Sequence, residues 1–124
     1  RKGESDVVLT STNSNPDTSP MTILISRSTA SSAEVIAGAM QDRNRAVVLG
    51  EKSYGKGTVQ EILNLFDGSQ IEITVGKYRT PSGRVIDQVG ITPDLLVSDN
   101  EALAKSIQVL GGLAAIEDKG QVKK

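Results

Sequence analysis

Met21-Thr22-Ile23-Leu24-Ile25-Ser26, then Ser28-Thr29-Ala30-Ser31-Ser32 leading into Ala33 to Arg43, then Arg45-Ala46-Val47-Val48-Leu49, is the stretch on which the fold turns. The first run is β-branched and nearly continuous in apolar character, which predicts a buried central strand covered on both faces. The cluster after it is rich in helix-capping hydroxyls, and Val35, Ile36, Ala39 and Met40 recur at helical spacing behind it. Glu34 falls in the first turn, where the helix dipole favours a carboxylate. A second β-branched run closes the unit, so strand, helix and strand follow in the order of a crossover with an at least partly parallel sheet. The predicted fold class is α/β.

Upstream of this unit, Asp6-Val7-Val8-Leu9-Thr10 reads as a further strand and Ser11 to Pro20 as a polar loop. Downstream, Gly50 to Gly57 is a glycine-punctuated loop, and Thr58 to Leu65 and Gln70 to Tyr78 flank Asp67-Gly68, a hairpin-turn dipeptide. In the second arm Ile71, Ile73 and Val75 alternate with polar residues, which predicts one buried face and one wet one. Arg79 to Arg84 reads as a turn, and Gly90-Ile91-Thr92-Pro93-Asp94 as a loop before a short strand from Leu95 to Val97. Asn100 is the expected cap of a helix to about Leu110, stopped by Gly111-Gly112, with Asp118 to Lys124 frayed beyond it.

The 124 residues suit a single domain. Fourteen basic side chains against fifteen acidic ones give a net charge of −1, which leaves no basic stripe for phosphates, so nucleic acid is not an expected partner. The absence of histidine and cysteine rules out a Ser-His-Asp triad, a thiolate nucleophile, a disulfide framework, an iron–sulfur cluster and a His/Cys zinc site. Proton transfer is left to carboxylates, tyrosines and lysines. No apolar stretch approaches the roughly 20 residues that span a bilayer, so no transmembrane segment is expected. The start at Arg1-Lys2-Gly3, with no Met and no signal-peptide pattern, is that of a processed product or a piece of something longer.

Two constellations carry chemistry. Gly50 to Thr58 nearly spells the phosphate-binding pattern G-x-x-x-x-G-K-[ST], but Gly57 stands where a magnesium-binding hydroxyl is required, and a strand is expected where a helix should begin. The second pairs Ser31 with Lys56. A serine between a strand and a helix lies near the positive end of the helix dipole, where backbone N–H groups stabilise a developing oxyanion. Without histidine the base is a lysine, provided burial lowers its ammonium from about 10.4. Both residues follow strands of one crossover unit, beyond the carboxyl ends where open α/β sheets place their sites. Each also has a plainer reading: Ser31 as a cap, Lys56 as a solvated loop charge, Gln60 as an exposed strand position.

The segments Ser28 to Glu34, Ile36 to Asp42, Gly50 to Gln60, Tyr78 to Arg84 and Gly90 to Asp94, in that order over about Met21 to Val97, closely resemble the carboxyl-terminal processing peptidases, or tail-specific proteases. The resemblance implies a ClpP/crotonase-like fold and a serine nucleophile with a lysine 25 positions on and a glutamine four beyond that. Ser31, Lys56 and Gln60 stand at that spacing. It casts Ser31 as nucleophile, Lys56 as general base, Gln60 as the amide that orients the lysine, and the backbone N–H of Ser32 as one oxyanion donor. Ser28 and Ser32 replace the family's common Gly and Ala, so Ser32 is a rival nucleophile, which the spacing to Lys56 disfavours.

The resemblance implies a partial protease core over 1–124. Residues 1–20 are strand and polar loop, 21–97 hold the catalytic motifs, and 98–124 form a helix and tail. The family's upstream Asp-Leu-Arg and Pro-Gly-Gly elements and its PDZ domain are expected to be missing, which would leave the chain alone inactive. Neither metal nor organic cofactor is implied. Expected substrates are proteins with apolar carboxyl tails, cut outside the cytoplasm in a periplasm, cell envelope or thylakoid lumen. The alternative is a non-catalytic module of the same fold that binds a peptide strand without cutting it.

Overall fold

The computed structural model describes residues 8–121, with side chains to residue 118. Strand β1 (Thr22–Ile25), helix α1 (Ser32–Asp42) and strand β2 (Val47–Gly50) form the expected unit, and β1 pairs with β2 in parallel from Thr22↔Val47 to Ile25↔Gly50. Parallel neighbours need a crossover connection, and α1 supplies it by carrying the chain back to the starting end of the sheet. Strand β3 (Thr58–Asn64) and strand β4 (Gln70–Lys77) make an antiparallel hairpin around Asp67-Gly68. The short strand β5 (Leu95–Leu96) adds to β2, also in parallel, and helix α2 (Asp99–Gln121) ends the described chain.

The sheet order is β1-β2-β5, so the buried central strand is β2. Among the described residues this corrects the expectation for Met21 to Ser26: β1 lies at the edge of the sheet and Leu24 is exposed. Helices nonetheless flank both of its faces, one of them leaving Leu24 open. Ile25 joins Ala37, Val48, Ile86 and Ile91 in the core, with Ile23 packed against them. Thr22, of opposite parity, bonds the Ser106 hydroxyl of α2 at 2.7 Å. The two helices therefore sandwich the sheet.

Helix α1 lies closer to its neighbours than its apolar periodicity foretold. Its buried positions are Glu34, Ala37 and Gly38, while Ile36 is 57% exposed. A Cβ on Gly38 would stand 2.7 Å from Thr80 Cγ2 and 2.9 Å from Ile91 Cδ1, so the contact selects small residues over branched ones.

Three further expectations are corrected. Val8 to Thr10 form no strand, and Val8 and Leu9 are exposed; Asp6 and Val7 lie outside the described residues. Helix α2 starts one residue before Asn100, with the Ser98 carbonyl accepting from Glu101 and Ala102, and it runs through Gly111 and Gly112. A glycine stop requires a left-handed residue, which neither adopts, and two helical glycines cost only about 1 kcal/mol each beside the helix formers that follow. Finally, Ile71, Ile73 and Val75 do alternate along β4, but all three are exposed. Apart from β3, no other element makes extensive contact with β4 among the described residues.

Candidate active site

Strand β1 delivers the chain into a tight loop. The Ser26 N–H donates to the Thr29 hydroxyl at 2.9 Å, the Thr29 N–H donates to the Ser26 carbonyl at 3.0 Å, and the Ser26 and Ser28 hydroxyls share a 2.8 Å bond. The loop ends at Ser31, whose backbone sits at φ 56°, ψ −126°. A left-handed φ on a residue with a Cβ costs about 1–3 kcal/mol and persists only where the surroundings over-determine it. Here they do: the Ser31 N–H donates to Glu34 Oε2 at 2.9 Å, and the Ser31 carbonyl accepts from Glu34 and Val35 at 2.9 and 3.1 Å. The result is a sharp, strained strand-to-helix turn with a serine at its apex, the arrangement that lifts a nucleophile clear of a sheet.

The loop after β2 returns to the same place. The Tyr54 N–H donates to the Thr29 carbonyl at 2.9 Å, the Gln88 N–H to the Gly55 carbonyl at 2.8 Å, and the Tyr78 N–H to the Gly57 carbonyl at 2.7 Å. Gly57 is required here, since a Cβ would stand 2.2 Å from the Asp87 nitrogen. The loop leads into β3 rather than a helix, so the phosphate-loop pattern around Lys56 has no helix N-terminus to work with.

What joins the two loops is Glu34. Its carboxylate is fully buried and accepts four hydrogen bonds. Oε2 takes the N–H of Ser31 and, at 2.8 Å, that of Lys56; Oε1 takes the N–H of Gly55 at 2.7 Å and the hydroxyl of Ser53 at 2.5 Å. One oxygen atom thus bridges the backbones of Ser31 and Lys56. From the sequence alone Glu34 is expected in the first turn, with only a dipole effect. The spacing Ser31-x-x-Glu34 was the available signal, since that pattern brings a carboxylate back onto the N-cap nitrogen. Ser53 offered no comparable signal.

The remaining predicted residues are placed as follows. Ser32 opens α1 and is exposed; its N–H lies in the first turn, where no earlier helical carbonyl can take it. The Lys56 side chain is exposed, so the crevice expected around its amine is not formed by the described residues. Gln60 is exposed on β3, just past a register shift at Val59/Gln60. Among the described residues no hydrogen bond links Lys56 Nζ to Ser31 or to Gln60; the loops are brought together, the side chains are not. Nor do three or more Asp or Glu residues cluster to hold a metal ion among the described residues.

The turn at Arg79 to Arg84 and the loop at Gly90 to Asp94 clamp the far end of α1. The Ser82 N–H donates to Asp42 Oδ2 at 2.8 Å, and the Arg84 guanidinium meets Asp42 and Gln41. The Gln41 amide donates to the Thr92 carbonyl and Asp94 Oδ1, both at 2.9 Å, and Asp94 Oδ2 accepts the Val48 N–H at 2.8 Å. The Thr80 hydroxyl, aided by Ser82 and Arg84 and opposed by desolvation, holds the Asp42 carboxyl well below its ordinary 3.8.

The model of peptidase family S41 matches residues 1–97. The chain belongs to that family. This S41 chain is 38% identical over 118 residues to the C-terminal processing peptidase, chloroplastic, of Tetradesmus obliquus, covering 92% of its own length and 25% of the relative's. It is 46% identical over 78 residues to the carboxyl-terminal-processing protease of a Synechocystis strain, covering 63% of itself and 18% of that protein. Among solved structures it superposes on the photosystem II D1 C-terminal processing protease with a TM-score of 0.62 and 42% identity, over 64% of this chain and 20% of that one. The S41 α/β fold is thereby established for the β1-α1-β2 unit and its surroundings, and the chain spans a quarter or less of these relatives.

Proposed function

We propose that this chain carries the nucleophile and general base of a serine endopeptidase that cuts proteins near their carboxyl termini. Ser31 Oγ attacks the scissile carbonyl while Lys56 Nζ takes its proton, which requires a longer chain that closes over the amine left exposed here. The tetrahedral oxyanion is held by the Ser32 N–H, and the Lys56 ammonium returns the proton to the leaving amine. Water, deprotonated in the same way, then frees the acyl group from Ser31. Gln60 orients the lysine. The observation that carries this reading is the strained backbone of Ser31, the half-buried N-cap of α1: capping alone has no need of φ 56°, whereas a nucleophile at a strand-to-helix turn does. The spacing to Lys56 and the names of the S41 relatives support it.

By this reading the substrates are unfolded proteins with apolar carboxyl tails, met outside the cytoplasm. Some relatives are chloroplastic and others bacterial, and no helix among the described residues is long and apolar enough to cross a membrane. The test uses the longest chain that carries this segment, on an unfolded reporter with an apolar tail, with products read by mass spectrometry. Ser31→Ala and Lys56→Ala are each expected to lower kcat by at least about a thousandfold. If the second oxyanion donor comes from a segment outside this one, the present chain alone should be slower by about a hundredfold or more. Binding of the tail without cleavage by any variant would replace this reading with that of a peptide-binding module.

A further inference from the structure

Ser53 is buried, and its hydroxyl is used twice: it donates to Glu34 Oε1 at 2.5 Å and accepts the Ile91 N–H at 2.6 Å. Its own N–H donates to the Ile91 carbonyl at 3.1 Å, so Ser53 is tied to Ile91 in both directions. Ile91 is in turn a core residue, 1% exposed. Nothing in the proposed chemistry uses Ser53.

A glutamate's terminal torsion is soft, with a broad two-fold preference. Left to itself, the Glu34 carboxylate would rock, and the oxygen between Ser31 and Lys56 would rock with it. What stops this is the grip on the other oxygen, Oε1, by the Gly55 N–H and the Ser53 hydroxyl. The direction of that hydroxyl is itself decided, because accepting from Ile91 leaves its proton to point at Glu34.

We propose that Ser53 and Glu34 are positioning residues, a buried relay that runs from the core at Ile91 to the backbones of Ser31 and Lys56 and sets the separation of those two residues. The inference rests on the Ser/Lys reading of the site and names what holds it in register. Neither residue touches substrate; each acts through the main-chain N–H groups that Glu34 gathers. A misplacement of about 1 Å between reacting groups is enough to cost on the order of a hundredfold in rate.

The test compares Ser53→Ala, Ser53→Thr and Glu34→Gln with the unaltered protein, in the longest chain that carries this segment. Steady-state kinetics use the unfolded reporter, and amide hydrogen exchange follows residues 31, 55 and 56 against Val48. Ser53→Ala is expected to lower kcat by about ten- to a hundredfold with KM within about twofold, because it disturbs the spacing of groups and not the substrate's seat. Ser53→Thr, which keeps the hydroxyl, should restore kcat to within about threefold. Glu34→Gln, with one acceptor oxygen for four donors, should lose at least as much as Ser53→Ala. In both damaging variants the Gly55 and Lys56 amides should exchange at least about tenfold faster while Val48 is unchanged.

Unchanged kcat and unchanged exchange in Ser53→Ala overturn the relay. So does faster exchange that includes Val48, which marks general destabilisation. Cleavage that survives Ser31→Ala or Lys56→Ala sinks the Ser/Lys reading instead, and the exchange measurements, which need no cleavage, still judge the relay.

Discussion

The loops around the start of α1 and the β3–β4 hairpin come from adjacent parts of the chain, and they are built on opposite terms. Both carboxylate oxygens of Glu34 are taken by two donors each, and Ile86 and Ile91 lie in the core at 0% and 1% exposure. The hairpin contacts chiefly itself, and its apolar row of Leu63, Ile71, Ile73 and Val75 is open, each 41–50% exposed. A two-stranded ribbon is marginal in water by itself. The contrast teaches that this chain holds Ser31 and the Lys56 loop in place with its own contacts, while Gln60 rides on a strand that it does not.

The sharpest way to break that contrast is at Glu34. Glu34→Met keeps the length of the side chain and removes the acceptor from three N–H groups and a hydroxyl, all in a buried setting. At about 1–3 kcal/mol for each stranded donor, partly relieved by rearrangement, the loss should reach at least about 4 kcal/mol. That is close to the whole stability of a small domain, so urea denaturation should find the variant largely unfolded. A loss below about 1.5 kcal/mol would mean that the carboxylate is not the hub of the region. Next in size, Ile86→Ala should cost about 2–5 kcal/mol by opening a cavity under the same loops.

These sites differ in how far the sequence revealed them. The β1-α1-β2 unit was legible because β-branched runs and capping residues are local signals, and the hairpin because Asp67-Gly68 fixes its turn. Ser31 was legible as a position, its strain was not; nothing local distinguishes a serine at φ 56° from an ordinary cap. The buried role of Glu34 escaped because it depends on three donors from a loop about twenty residues away, and a glutamate is seldom buried. The end of α2 was misread because a Gly-Gly pair stops a helix only when one residue turns left-handed, which tertiary context decides. The edge position of β1 was misread for a related reason: a strand covered by helices on both faces has the same apolar pattern at the edge as in the middle.

A milder probe lies at the far end of α1, where Asp42 grips Ser82 and Arg84. Its folded carboxyl is held far below 3.8, chiefly by the Thr80 hydroxyl. A carboxyl depressed in the folded state contributes stability that is complete above the unfolded value and is lost as pH falls through the range below it. Stability should therefore fall as pH drops from about 4 toward 2, and Asp42→Asn should flatten that slope while being less stable near neutrality. Parallel pH profiles for the two proteins would remove Asp42 from the account of how the 79–84 turn is held.

The smallest effect is expected on the hairpin, and its smallness is what makes it informative. Ile73→Ala deletes the same atoms as Ile86→Ala, but from a side chain 41% exposed against one that is fully buried. With no element in extensive contact with β4 except β3 among the described residues, neither the transfer of the side chain from water nor a cavity is at stake in full, and the loss should stay within about 0.5 kcal/mol. A loss above about 1.5 kcal/mol in this chain would show that the face is packed and that the two regions are not built on different terms. Repeating the pair in the longest chain that carries the segment sharpens the point. If the row of Leu63, Ile71, Ile73 and Val75 is covered there, Ile73→Ala should approach the cost of Ile86→Ala, and the strand bearing Gln60 should become as fixed as the loop bearing Lys56.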